Sequence, residues 1–254
     1  MLKIRVIPVL LWNGQGLVKG KRFDSSRMVG SAMQAVKVFN MREVDELVLL
    51  DIQATAQGRL PDIAMVDELG DECFVPFAVG GGIRTLDDVT KLLRAGADKV
   101  VVNTAAIERP EIVAEIAGRF GSQCVVVSID CKKNGDGTYE VYTHSGTHPT
   151  GIDPVTHAKA VEKQGAGEIL LTAIDRDGTM EGYDTDLIRS VAEAVTIPVI
   201  ASGGCGTYEH LAKALSKGKA SAVAAGAMFQ FTQQTPREAK EYLQEKGFRM
   251  RSSL

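Results

Sequence analysis

Eight short, almost continuously apolar runs recur along the 254-residue chain, at residues 4–10, 46–50, 75–79, 99–102, 124–129, 168–173, 198–201 and 221–224. Runs of this length, apolar on both faces, are what parallel strands need when helices cover them from outside. Between them the period changes. Residues 86–95, 153–164, 187–194 and 208–216 carry apolar side chains at helical spacing, and several of these stretches open on a Thr or Asp suited to capping. Strand and helix alternating eight times predicts an α/β chain folded as one (βα)8 TIM barrel, a single domain over residues 1–254. No Pro/Gly/Ser linker or break in composition divides it.

The pattern also repeats at about half the chain length. Gly80-Gly81-Gly82-Ile83 in the first half answers Ser202-Gly203-Gly204-Cys205 in the second, and Val102-Asn103-Thr104-Ala105 answers Ala224-Ala225-Gly226-Ala227. Under the same alignment Leu11, in Val6-Ile7-Pro8-Val9-Leu10-Leu11, is the partner of Asp130, in Val125-Val126-Val127-Ser128-Ile129-Asp130. Two half-barrels are thus expected to place two similar anion sites across one barrel mouth, with an acid on one side only.

Composition narrows the ligand. With 44% hydrophobic and 24% charged residues the chain can bury a core of barrel size. A formal net charge of -3 gives no bulk attraction to nucleic acid or an anionic membrane, so an anionic ligand must be held by local geometry. Cys73, Cys124, Cys131 and Cys205 are scattered without CxxC spacing, which reads as reduced thiols. The N-terminal segment lacks the long apolar region and small-residue cleavage site of a signal peptide, and a cytoplasmic location is expected.

Glycines directly after a barrel strand let backbone N–H groups approach a phosphate, and a following helix N-terminus adds a favourable dipole. Gly81, Gly82, Asn103 and Thr104 are expected to form one cradle. Gly178, Gly203, Gly204, Ala225 and Gly226 form the other, with Asp177 assigned to the same phosphate-binding group. Two cradles imply an elongated substrate with a phosphate at each end and its reactive middle over the barrel axis. Asp130, at the C-terminal end of a strand, is positioned there as general acid/base. Asp51, Asp175 and Asp177 are either helpers or loop caps. Lys19 lies in the Gly-rich segment 13–20, read as a mobile lid whose lysine meets an anion. At the opposite end of the barrel Arg5, Glu46, Lys99 and Glu168 stand at or near the starts of four strands, and from the residues alone their alternating signs suggest a plug of salt bridges. His144 and His148 have no carboxylate or cysteine at metal-ligand spacing, so a polar loop rather than a zinc site is expected, and no metal or other cofactor.

Gly165-Ala166-Gly167-Glu168-Ile169-Leu170-Leu171, Asp175-Arg176-Asp177-Gly178-Thr179 with Gly182-Tyr183-Asp184, and Ala201-Ser202-Gly203-Gly204 resemble the cyclase subunit of imidazole glycerol phosphate synthase over essentially the whole chain. The resemblance implies a glutaminase subunit docked on the N-terminal barrel face. Its ammonia passes through the barrel and attacks a bis-phosphorylated ribulosyl substrate at the C-terminal face. It also turns the charged ring of Arg5, Glu46, Lys99 and Glu168 into an ammonia gate, and makes Asp130 a catalytic aspartate and Lys19 the lid lysine.

The family's second catalytic aspartate falls on Leu11. If each acid/base group contributes about 10²-fold to 10⁴-fold, its loss removes roughly 3 to 5 kcal/mol of transition-state stabilisation. An apolar pair here, and the segments 139–147 and 150–154, resemble a paralogous branch associated with amidation of bacterial surface sugars, where barrel and glutaminase are thought to supply ammonia to a ligase that makes an acetamidino group. The expected role is therefore an ammonia-channelling synthase subunit of a glutamine amidotransferase. The alternatives are the histidine-biosynthesis cyclase itself and a non-catalytic scaffold that senses a phosphorylated ligand for a glutaminase.

Overall fold

A computed structural model describes residues 3–251. Eight parallel strands close on themselves: β1 (Val6–Trp12), β2 (Leu47–Asp51), β3 (Phe77–Gly80), β4 (Lys99–Val102), β5 (Val125–Lys133), β6 (Glu168–Ala173), β7 (Val199–Ser202) and β8 (Ala222–Ala225), each paired with its neighbours in chain order and β8 with β1. A helix follows each strand: α1 (Ala32–Met41), α2 (Ile63–Glu72), α3 (Leu86–Arg94), α4 (Glu111–Phe120), α5 (Pro154–Lys163), α6 (Thr185–Ala192), α7 (Tyr208–Ser216) and α8 (Pro236–Glu245). Two extra five-residue helices, Thr104–Glu108 and Ala227–Phe231, sit directly after β4 and β8, at matching positions of the two halves.

Side-chain oxygens satisfy the first N–H groups of most of these helices, as the cap residues foretell. Asp62, Asp153, Asp184 and Thr207 each accept from their own helix, while Thr85 with Asp88 and Thr235 with Glu238 close capping boxes. One apolar layer lies between strands and helices. A second, smaller one fills the barrel itself, from Ile7, Val48, Ala78, Val126, Leu170, Ile200, Ala222 and Ala224 up to Leu11 and Leu50 at the mouth. Near the floor, Lys240 of α8 donates to Asp45 at 2.9 Å, both buried, and Asp45 also accepts from the Val6 N–H at 2.9 Å, tying the last helix to the first strand.

Three expectations need correction. Residues 4–10 start too early as a strand, because Ile4 bridges to Met250 and only Val6 onward joins the barrel. Val75 with Pro76, and Pro198, precede β3 and β7 instead of beginning them. A proline has no N–H for the ladder, and these two contribute only carbonyls, to Leu47 and Ile169 at 2.9 Å each. The Gly-rich segment 13–20 is not a free lid. Leu17–Lys21 pairs antiparallel with the end of β1 and with Asp24–Gly30, so a hairpin stands over the mouth. A second extension, Tyr139–Thr143 with His148–Pro149, lengthens the β5 edge. No helix among the described residues is long and apolar enough to cross a membrane, and the four cysteines are unpaired.

Candidate active site

At the C-terminal ends of the strands lies a cavity of about 340 Å³. It is lined by Asp130, Lys19 and every residue assigned to the two cradles: Gly81, Gly82, Asn103 and Thr104 on one side, and Asp177, Gly178, Gly203, Gly204, Ala225 and Gly226 on the other.

The cradles are built alike. Gly81 (φ 119°) and Gly203 (φ 87°) adopt backbone that side chains avoid, and a Cβ on either would meet the carbonyl oxygen at the end of the preceding strand, 2.5 Å from Asp51 and 2.7 Å from Ala173. Asn103 and Gly226 occupy the N-cap positions of the two short helices. The halves differ in what stands beside these turns. Asn103 donates to the Ser128 carbonyl at 3.1 Å and to Asp130 Oδ2 at 3.2 Å, tying the first cradle to the acid. Gly226 has no side chain, and Lys19 lies over it.

Asp130 is inward-facing on β5, in register with Thr172 of β6. Ser128 donates to its Oδ1 at 3.1 Å. Burial pushes its carboxyl up to about 7, a rise that hydrogen bonds from Ser128 and Thr172 oppose and the negative charge of Asp177 reinforces. A carboxyl poised there both holds and releases a proton near neutrality. Across the barrel Leu11 is in register with Leu50 and with Val18 of the hairpin, so the wall facing Asp130 is hydrocarbon.

The other acids are committed. Asp51 binds Arg59 at 2.6 Å and accepts from the N–H groups of Gln53 and Ala54, a loop cap and ion pair in one. Asp175 accepts from the Lys133 N–H at 2.8 Å. Asp177 takes Lys19 Nζ in both carboxylate oxygens at 2.9 Å, so its side chain orients the lysine and offers no donor to a phosphate. The His144 and His148 rings pack against each other at a tilt of 44°, centroids 4.4 Å apart, and the His144 backbone N–H donates to Thr104 Oγ1 at 3.1 Å, resting that loop on the first cradle. No group of three or more metal-ligating side chains occurs among the described residues. Sequence reasoning passed over Ser128, Thr172 and Ser202. The strand period of two, applied inward from Asp130 and Glu168, marks the first two as facing the cavity.

At the opposite end the four charged residues form a closed ring. Arg5 reaches Glu46 at 2.5 Å and Glu168 at 2.7 Å, and Lys99 reaches both glutamates at 3.0 Å. Four alternating charges thereby cover the barrel floor.

The sequence model of the family described as "Histidine biosynthesis protein" matches residues 5–234, nearly the whole chain. The chain belongs to the histidine biosynthesis protein family. Members of this family are typically isomerases or cyclases on a TIM barrel, and both cradles, Asp130 and the floor ring lie within the matched residues. Leu11 lies within them too.

Proposed function

We propose that this member of the histidine biosynthesis protein family is the synthase subunit of a two-component glutamine amidotransferase. A glutaminase docks on the barrel floor, and ammonia crosses the barrel to an anionic acceptor at the mouth. The acceptor in this reading is a surface-sugar precursor, amidated with the help of a partner ligase in the cytoplasm.

The observation that carries it is the closed ring of Arg5, Glu46, Lys99 and Glu168 beneath a hydrocarbon interior. Neutral ammonia can cross an apolar core that ammonium, with its desolvation cost, cannot. Parting one ion pair of a ring whose remaining members stay paired is a small local change. Two further observations support a partner on that face. Met41 and Phe74, 74% and 81% exposed, lie at the ends of the α1 and α2 segments that lead into β2 and β3, on the same side as the ring. Asn40 joins them, donating to the Glu72 carbonyl at 2.6 Å and accepting from the Phe74 N–H. Exposed large apolar side chains on the same end of the barrel as the charged ring suit a protein-binding surface.

The mouth supports amidation over cyclisation. Cyclisation with elimination asks for an acid and a base on either side of the substrate, and Leu11 provides neither. The test is conversion of the bis-phosphorylated ribulosyl substrate with saturating ammonium salt. The expected result is no turnover by the native chain and measurable turnover by Leu11→Asp. Robust native turnover that Asp130→Asn abolishes would overturn the amidation reading in favour of the histidine-pathway cyclase.

A further inference from the structure

The two cradles present different charge to a ligand. On the Gly178 side Lys19 is held by both oxygens of Asp177, so that pair is neutral. On the other side the loop of Gly81 and Gly82 runs directly into Arg84, which is exposed and lines the same cavity. Its guanidinium has a neutral partner only, the Gly58 carbonyl at 2.5 Å, and no carboxylate within ion-pair reach among the described residues. Its backbone is fixed by Asp88, which accepts from the Arg84 N–H at 3.0 Å. The carbonyl contact orients the guanidinium and leaves most of its five N–H donors for a ligand.

The nearby acids do not cancel this charge. Asp51 is taken by Arg59, Asp88 accepts from the Arg84 and Thr85 N–H groups, and neither Glu108 nor Asp24, which line the same cavity, forms an ion pair with Arg84. A phosphate on Gly81, Gly82, Asn103 and Thr104 would meet backbone N–H groups and neutral side chains, and at Gly82 it would replace the hydrogen bond that this N–H donates to Thr55 Oγ1 at 3.3 Å. A guanidinium two residues beyond Gly82 on the same cavity wall suits a ligand that carries a second anionic group next to the first, which an arginine fork binds in bidentate fashion.

We infer that the Gly82 cradle continues outward to Arg84 as a second phosphate subsite, so that the ligand end bound there is a diphosphate ester of the kind a nucleoside diphosphate carries. The less charged end of the ligand lies toward Gly178. This rests on the reading of the Gly82 loop as an anion cradle, and gives the acceptor of the proposed reaction a chemical class and a direction across the mouth.

Orthophosphate and pyrophosphate titrations of the ¹⁵N-labelled full chain, read separately at the backbone N–H groups of Gly82 and Gly204, test it. The Gly82 signal should report pyrophosphate binding about 10-fold tighter than orthophosphate, the worth of one charge-assisted contact. Arg84→Ala should remove that preference, weakening pyrophosphate about 10-fold and orthophosphate less than about 3-fold, with Gly204 unaffected. Arg84→Lys, which keeps the charge and loses the fork, should recover part of it. A preference that survives in Arg84→Ala, or an equal weakening of both anions, overturns the diphosphate subsite while leaving the cradle standing. No response of Gly82 to either anion overturns the cradle and the subsite together.

Discussion

Replacing Asp130 by Asn should make the protein more stable, and the gain should depend on pH. Burial raises the carboxyl from its ordinary 3.8 to about 7 in the folded chain. Unfolding returns it to the ordinary value, so the folded state holds the proton more tightly. Below the lower value both states are protonated and nothing is lost. As pH climbs through the interval the unfolded chain ionises first and stability falls, until above the folded value the penalty is complete. The difference between the two values corresponds to about 4 kcal/mol, of which about 2 kcal/mol develops between about pH 5.5 and about pH 8. Asn carries no charge but disturbs the donors from Ser128 and Asn103, a loss of about 1 kcal/mol. The net expectation is a gain of about 1 kcal/mol near pH 5.5 and about 3 kcal/mol near pH 8. Urea unfolding of both proteins at the two pH values reads this directly, provided the slopes agree. A difference with no dependence on pH would refute the account of Asp130 as a carboxyl forced up by burial. Any turnover that depends on proton transfer at the mouth should be lost in the same variant.

Four other substitutions probe separate parts of the structure. Lys240→Met leaves the buried Asp45 carboxylate without its cation and should cost about 3 to 5 kcal/mol in urea unfolding, with more than half restored by adding Asp45→Asn. Gly82→Ala places a Cβ against the Arg59 carbonyl at φ 67°. It should cost about 1 to 3 kcal/mol and weaken phosphate binding at the first cradle, whereas Gly118→Ala inside α4 should stabilise by about 0.5 to 1 kcal/mol in the same assay. Lys99→Met opens the floor ring. If the chain works as the proposed amidotransferase subunit, glutamine-driven amidation should fall or uncouple from glutamine hydrolysis while ammonium-driven amidation persists, and equal losses of both would show that the ring serves folding alone.

How far the sequence speaks depends on the range of the interaction involved. The barrel strands are legible because each is buried on both faces, and caps such as Asp153 and Thr235 act within three residues of themselves. The hairpin over the mouth is not. Asp24-Ser25-Ser26-Arg27-Met28-Val29-Gly30 is too polar to read as a strand, and its partner is rich in glycine. The two become strands because β1 runs on to Trp12 and offers an edge to pair with. The catalytic lysine candidate shows the same limit. Lys19 and Asp177 are 158 positions apart, so the pair that neutralises one cradle is invisible until the chain is folded. For the floor ring the sequence supplied four signs at four strand starts. Closure into a ring also needs the stagger of the strands, which brings Arg5 and Lys99 within reach of the same two glutamates.

The asymmetry between Leu11 and Asp130 then has an energetic meaning as well as a chemical one. Position 11 faces inward beside Leu50 and Val18, partly buried where Asp130 is buried, so leucine there fits its apolar neighbours without the desolvation that Asp130 bears. Asp130 has no such excuse. Above neutrality its ionised form costs the fold several kcal/mol, a sizeable share of the stability of an ordinary domain, and a leucine or asparagine would avoid that cost. Ser128, Thr172 and Asn103 converge on this one carboxyl. A group that weakens the fold while three neighbours hold it in place at the cavity wall is not a packing residue. One acid raised by burial beside two similar glycine turns and a hydrocarbon wall fits the proposed mouth, in which a single carboxyl moves a proton on a bound anion without a partner base.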